Sequence, residues 1–337
     1  ARRATCSAVV PEEVATACLT PTTLANAASS AAVRGPCTSM PESSTSRTAF
    51  FSSSPTNGFE MYMIQNLGEL PPLPQVAAQV LRLVADPDST TEDLQKVIST
   101  DQALTSQILK IANSAMFGMM REVRTVTQAI MTLGFSTIKS VVIAASAKNL
   151  YARGSVGLQE RLLWEHALVT SLAGRGFART LRYPRAEEAF VGGLLHDIGK
   201  SVMGIKFPDR YGTLVRQVYN GEGDTRQLEL DTFGFDHCMV GEALLRSWNL
   251  ADSLEAAVRW HHDPHLAPEA HQPLTALVAL GNQLALAQGK GFGKEGSLDT
   301  PAAQAREILG LDDARFQEYS ETVLELLERD KGMIGDL

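Results

Sequence analysis

The stretch LLHDIGK, Leu194 to Lys200, sets a His and an Asp side by side and a Lys one turn further on. Imidazole and carboxylate are both good ligands for divalent transition metals such as zinc, iron and manganese. A metal held there would acidify a bound water and make hydroxide near neutral pH, the nucleophile that hydrolyses phosphate esters. Lys200 would then stabilise the extra negative charge on a transferring phosphoryl group. The difficulty is geometric. Neighbours on a helix point about 100° apart and do not normally share a target. Either His196 and Asp197 grip a metal together with ligands from elsewhere, or they are remnants of such a site.

The other candidate ligands are confined to one half of the chain. The seven histidines are His166, His196, His237, His261, His262, His265 and His271, and none precedes position 166. Histidines recruited only for packing have no reason to be so segregated. His166, His196, His237, His261 and His262 fall on helical positions or helix ends, so helices converging in a bundle would aim them at one point. His265 and His271 lie in a Pro-rich loop and read as solvated. Cys238 reads as a buried, inert thiol, with a thiolate ligand as the alternative. Lys200 has a plain alternative as a helix-end cation favoured by the helix dipole.

The elements that would position these residues are helical. Val76, Val80, Leu83 and Val84 repeat on one helix face. Ser89-Thr90-Thr91-Glu92 has the pattern of a capping box and opens a helix through about Ile98. Thr100-Asp101 starts another, which Asn113-Ser114 to Gly118 ends. Helices are expected over 125–133, 136–150, 158–181, 186–203, 208–220, 225–232, 236–248, 253–261, 273–288, 301–309 and 312–330, with a loop over 289–296. The small-residue stretch ALVTSLAG after His166 would let helices approach closely. No long β-branched run of period two occurs, so no substantial sheet is expected. Residues 1–60 are rich in Ala, Ser, Thr and Pro, and no periodicity persists there. They read as a disordered low-complexity tail. An organellar transit peptide, or translation starting at Met61 or Met63, are the alternatives.

In order, His166, His196-Asp197, His237 and His261-His262 resemble the HD superfamily of metal-dependent phosphohydrolases, closest to its HD-GYP and HDOD branches. The phrases LPPLPQVAAQVLRLVADPD, DQALTSQILKIANSAMFG, QAIMTLGFSTIKSVV, GGLLHDIGK, FGFDHCMVGEALLRSWNL and WHHDP extend that likeness from Leu70 to about Ala287 and make it similar to HDOD, the HD-related output domain. The resemblance implies an all-α fold of two helical lobes: an HDOD-specific lobe over 61–155 and an HD-like lobe over 156–290, followed by a loop and C-terminal helices over 291–337. It implies metal ligation by His166, His196, Asp197, His237, His261 and His262. Where catalytic HD domains supply a closing Asp, this chain has Asn282, a neutral and poorer ligand. Leu162 stands where some HD-GYP proteins have a Glu, and no GYP motif follows His261-His262-Asp263-Pro264. A metal site so altered holds a divalent transition metal (iron, manganese or zinc) or has lost it.

Two functions follow as expectations. The first is a bacterial-type cytoplasmic signal-transduction module without catalysis, binding a signalling protein or a nucleotide through a cleft between the lobes. The second is a metal-dependent phosphohydrolase acting on a nucleotide or phosphoester, with Lys200 as its electrostatic stabiliser. Nucleic acid is an unexpected partner, because the net charge of −8 leaves no basic field. The segment TVTQAIMTLGFSTIKSVVIAA resembles a helix-turn-helix, but its second helix is made of Val, Ile and Ala rather than base-reading side chains. No apolar run is expected to span a bilayer. The four cysteines, Cys6, Cys18, Cys37 and Cys238, form no disulfide framework and fit a reducing compartment. Oligomeric state is left open.

Overall fold

The computed structural model describes residues 67–113, 122–154, 158–291 and 299–329. The tail expected over 1–60, Met61 and Met63, the segment Ser114 to Gly118 and the 292–296 part of the expected loop lie outside the described residues. Among the described residues every regular element is helical. The all-α expectation therefore holds.

The chain begins with α1 (Gln75–Ala85), α2 (Thr91–Ile98) and α3 (Gln102–Ala112), which pack on the long α4 (Val126–Gly154). The capping box of α2 sits one residue later than expected: Thr90, not Ser89, is the N-cap. Its hydroxyl accepts from the Asp93 N–H at 3.2 Å, and the Asp93 carboxylate accepts from the Thr90 N–H at 3.1 Å. A short Asp at the third position closes this reciprocal pair as well as the expected Glu would. Asp101 caps α3 by accepting from Leu104 N–H at 2.9 Å.

Gly134 interrupts α4 with φ 78° and ψ 164°, a conformation that excludes most side chains and kinks the helix where a break between two helices was expected. Its apolar stretch is long enough to span a bilayer by length and composition, which corrects the expectation that no such run exists. Packing accounts for that composition. Val141, Val142, Ile143, Ala144, Ala145 and Ala147 are all buried. The would-be recognition helix is thus a core helix. Thr127 bonds Gln95 of α2 at 2.7 Å near one end of α4, and Tyr151 donates to the Leu194 carbonyl at 2.8 Å near the other.

The remaining helices are α5 (Leu158–Thr180), α6 (Ala186–Leu195), α7 (Ile198–Lys206), α8 (Pro208–Tyr219), α9 (Thr225–Phe233), α10 (His237–Ser247), α11 (Asp252–Trp260), α12 (Gln272–Ala287), α13 (Asp299–Ile308) and α14 (Asp313–Arg329). α5 is the hub, packing against α6, α12 and α14. Its small residues permit this: an added Cβ on Gly193 of α6 would lie 2.7 Å from Ser171 Cα, and one on Gly281 of α12 would lie 2.6 Å from the Thr170 carbonyl. α14 docks through buried Val323 and Leu327, with Leu324 packed beside them and Phe316 stacked on Phe177 at 6.2 Å.

The expected single helix over 186–203 is instead two. α6 stops at Leu195, His196 and Asp197 occupy the break, and α7 starts at Ile198. Asp197 takes φ −101° and ψ 8°, outside the helical region. This resolves the geometric difficulty of LLHDIGK. The two side chains leave different helix ends instead of diverging from one helix.

Candidate metal centre

Four imidazoles are oriented by the same device. His166 Nδ1 donates to the Lys290 carbonyl at 2.9 Å, His196 Nδ1 to the Gly193 carbonyl at 2.7 Å and His261 Nδ1 to the Val258 carbonyl at 2.8 Å. His237 Nδ1 donates to Glu229 Oε2 at 2.6 Å. A carbonyl can only accept, so each of those Nδ1 atoms carries the proton and each Nε2 presents a lone pair. This is the arrangement that protein metal sites use to fix the tautomer of a ligating histidine.

The Nε2 atoms converge on Asp197. Its Oδ2 lies 3.5 Å from His166 Nε2 and 3.4 Å from His196 Nε2, and its Oδ1 lies 3.3 Å from His237 Nε2 and 3.8 Å from His261 Nε2. His166 Nε2 and His196 Nε2 are 3.1 Å apart. Two lone pairs that close, beside a carboxylate and away from water, repel unless an electron-poor centre lies among them. Asp197 Oδ1, His261 Nε2 and Asn282 Oδ1 are buried and have no hydrogen-bond partner.

Electrostatics point the same way. Burial lowers His196 to about 3, helped by His166 and Lys200 against the opposing pull of Asp197. Burial likewise holds His261 well below the usual histidine range, with His262 and His196 adding to it. Both therefore keep their lone pairs at neutral pH. Burial would raise Asp197, but His196, Lys200, His237 and His166 outweigh it and hold the carboxyl well below its usual range. His237 differs. Burial opposes its charge, yet Cys238 and Glu229 raise it well above the usual range, so here a cation competes with a proton. The donor set, imidazole nitrogens around an ionised carboxylate, fits a divalent transition metal.

The structure thus brings His166, His196, Asp197, His237 and His261 to one place. His262 stands beside them, its Nε2 3.3 Å from His237 Nε2. Asn282 is buried on α12, next to the Gly281 contact with α5. Lys200 donates to Asp197 Oδ2 at 2.9 Å. It lies in the first turn of α7, where a helix dipole disfavours a cation, so the carboxylate and not the dipole accounts for it. His265 is exposed and meets Glu307 at 3.2 Å, whereas His271 is half-buried, not solvated.

Sequence reasoning missed Glu229. Fully buried, it accepts from the N–H of His237 at 2.9 Å and from the Tyr211 hydroxyl at 2.9 Å as well as from the imidazole. It also missed Arg226, which bridges Asp236 at 2.7 Å and Asp263 at 2.5 Å and so ties the start of α10 to the segment carrying His261 and His262. No spacing rule marks either residue. The nearest signal is an acidic side chain on the buried side of a short helix, legible only once the face is known.

Gly199 fixes the crossing of α7 over α10. A Cβ there would sit 2.0 Å from the His237 carbonyl oxygen and 2.9 Å from Gly241 N. Backbone rests on backbone, and the pair His196-Asp197 is thereby held against His237.

An all-helical bundle with a buried histidine–carboxylate cluster defines the class: a fold of HD type whose donor set is suited to a metal. The profile of the HDOD domain family matches residues 70–264, and the chain belongs to that family. It is similar to a protein provisionally classed as a phosphohydrolase from Shewanella amazonensis, with 25% identity, TM-score 0.66 and coverage of 81% of this chain and 97% of the other. An HDOD domain protein of unknown function from Geobacter sulfurreducens shares 21% identity with TM-score 0.64, covering 80% and 97% respectively. A protein of unassigned function from Treponema pallidum is 28% identical over 219 residues, 64% of this chain. The match spans only 42% of that relative's length.

Proposed function

We propose that this chain is a cytoplasmic signalling module that acts by binding a protein or nucleotide partner, and that its histidine–aspartate cluster holds a divalent transition metal for structure rather than for hydrolysis. Burial of the cluster supports this reading. His196 and His237 are 0% exposed, Asp197 and His261 1%, His166 2% and Lys200 3%. Hydrolytic metal centres keep a position open to water and substrate. Here the Lys290 carbonyl and the Lys290–Glu165 ion pair close over His166, and Lys200 lies against Asp197. Asn282, in place of a closing carboxylate, leaves the metal less charge-compensated and is consistent with a site kept for shape. When bound, the metal supplies a Lewis acid at the centre of the bundle. The chain's own residues orient it and exclude water.

The alternative is a metal-dependent phosphohydrolase, favoured by one observation: His262, unlike the rest of the cluster, is partly exposed beside His237. One experiment separates the two. Full-length protein purified without chelator or metal-affinity resin is analysed for metal by mass spectrometry and assayed for phosphodiesterase activity on nucleotides. The proposal expects stoichiometric metal, no turnover and a lower Tm after stripping. Turnover that disappears in His196→Ala would overturn it in favour of the enzyme.

A further inference from the structure

The donor atoms form two groups that share Asp197: Oδ2 faces His166 and His196, while Oδ1 faces His237. The second group contains a donor unused so far. Cys238 is 0% exposed, and its Sγ lies 3.5 Å from His237 Nε2. Ligand atoms of His237, Cys238, His261 and His262 all lie within 4.8 Å of one another. A tetrahedral ion with a metal–sulfur bond of about 2.3 Å and metal–nitrogen bonds of about 2.0–2.1 Å holds sulfur and nitrogen roughly 3.5 Å apart and two nitrogens roughly 3.3 Å apart. The corresponding separations are 3.5 Å for Cys238 Sγ to His237 Nε2 and 3.3 Å for His237 Nε2 to His262 Nε2. An S–H···N hydrogen bond explains the first distance alone. A proton on His237 Nε2 satisfies one neighbour at a time, whereas Cys238 Sγ, His262 Nε2 and Asp197 Oδ1 all lie 3.3–3.5 Å from that one nitrogen, and Asp197 Oδ1 is buried without a hydrogen-bond partner.

We propose that Cys238 is a thiolate ligand to a metal held with His237, His262 and Asp197 Oδ1, so that this second position carries sulfur and selects zinc over manganese. Thiolate is a soft ligand, whereas manganese favours oxygen donors. On binding, the Cys238 S–H bond breaks, a sulfur–metal bond forms and the proton passes to solvent. The inference rests on the reading of the cluster as a metal centre, and its test separates the two.

Full-length protein is loaded with Co2+, and its absorption is compared with that of Cys238→Ala. Sulfur-to-cobalt charge transfer in the near ultraviolet is expected in the wild type. It should be lost in the variant while cobalt remains at the His166–His196 position, and zinc retention at the second position should fall at least about 10-fold. Should Cys238→Ala not fold, a C6S/C18S/C37S chain leaves Cys238 as the sole thiol. X-ray absorption of its zinc form should then show a sulfur neighbour at about 2.3 Å. Bound metal with only nitrogen and oxygen neighbours, and no charge-transfer band, overturns the thiolate and leaves the metal centre standing. Folded protein that retains neither cobalt nor zinc overturns both.

Discussion

Replacing Gly199 by Ala adds one methyl group at the point where α7 rests on α10. Its Cβ would lie 2.0 Å from the His237 carbonyl oxygen, and real Cβ contacts essentially never fall below 3.0 Å, so the helices must part by about 1 Å. Both opposing atoms belong to backbone, and no rotamer change relieves the contact. Overpacking costs about 1–3 kcal/mol, and a clash with a rigid partner belongs at the upper end. At roughly 2–4 °C per kcal/mol for a domain of this size, the Tm should fall by about 6–12 °C. The same displacement acts on the site. Asp197 Oδ1 and His237 Nε2 now stand 3.3 Å apart, and ligand distances tolerate only about 0.2 Å. Thermal unfolding followed by circular dichroism, with metal content measured on the same samples, tests both effects. Gly212→Ala is the control. It lies inside α8, and its Cβ would meet nothing closer than the Arg216 guanidinium at 3.8 Å, so it should be neutral or stabilise by about 0.5–1 kcal/mol. A Gly199→Ala protein with unchanged Tm and metal content would refute the reasoning.

Glu229→Gln keeps the shape but removes the charge that orients His237. Metal affinity should drop about 10–100-fold, and an unchanged affinity in competition with a chelator would show that Glu229 does not position the ligand. Asn282→Asp should raise metal retention while destabilising the stripped protein, since an added carboxylate is buried without a partner until the metal arrives; dialysis followed by elemental analysis reads the first effect and Tm after stripping the second. Asp236 supplies the pH dependence. Burial would raise its pKa, but His237, Arg226 and the Met239 N–H together lower it, so its stabilisation is present above the unfolded carboxyl pKa of about 3.9 and is lost as pH falls through the lower folded value. The Tm of the wild type should therefore fall more steeply below about pH 4 than that of Asp236→Asn, which should itself be about 1–3 kcal/mol less stable at pH 7. Parallel Tm curves for the two proteins would refute this.

The helices were legible because their apolar spacing and caps are local. Val76, Val80 and the Asp101 cap announce themselves within a turn, and so does the break at Gly134. The confinement of histidine to one half of the chain pointed to a shared centre. The break at His196-Asp197 was not legible. Leu and Lys are good helix formers, no Pro intervenes, and the helix ends where close contacts at Gly193 and Gly199 seat its two halves on different partners. The role of Glu229 was hidden for a related reason. On a short helix with Arg226, Gln227 and Asp231, it looks like one more solvated charge until packing places it against Tyr211 and His237.

The contact between His166 and Lys290 joins residues 124 positions apart. The HDOD match ends at 264, before α12, yet Leu274, Leu277, Val278, Leu280, Leu284 and Ala285 of α12 are all buried, and α12 packs on the helix that carries His166. During synthesis the last orienting contact for a ligand on α5 is made only after α12 has left the ribosome. In the proposed metal centre, capture would therefore be a late event in the life of the nascent chain, and a fragment cut at the family boundary would expose the apolar face of α5 and lose the proton acceptor of His166.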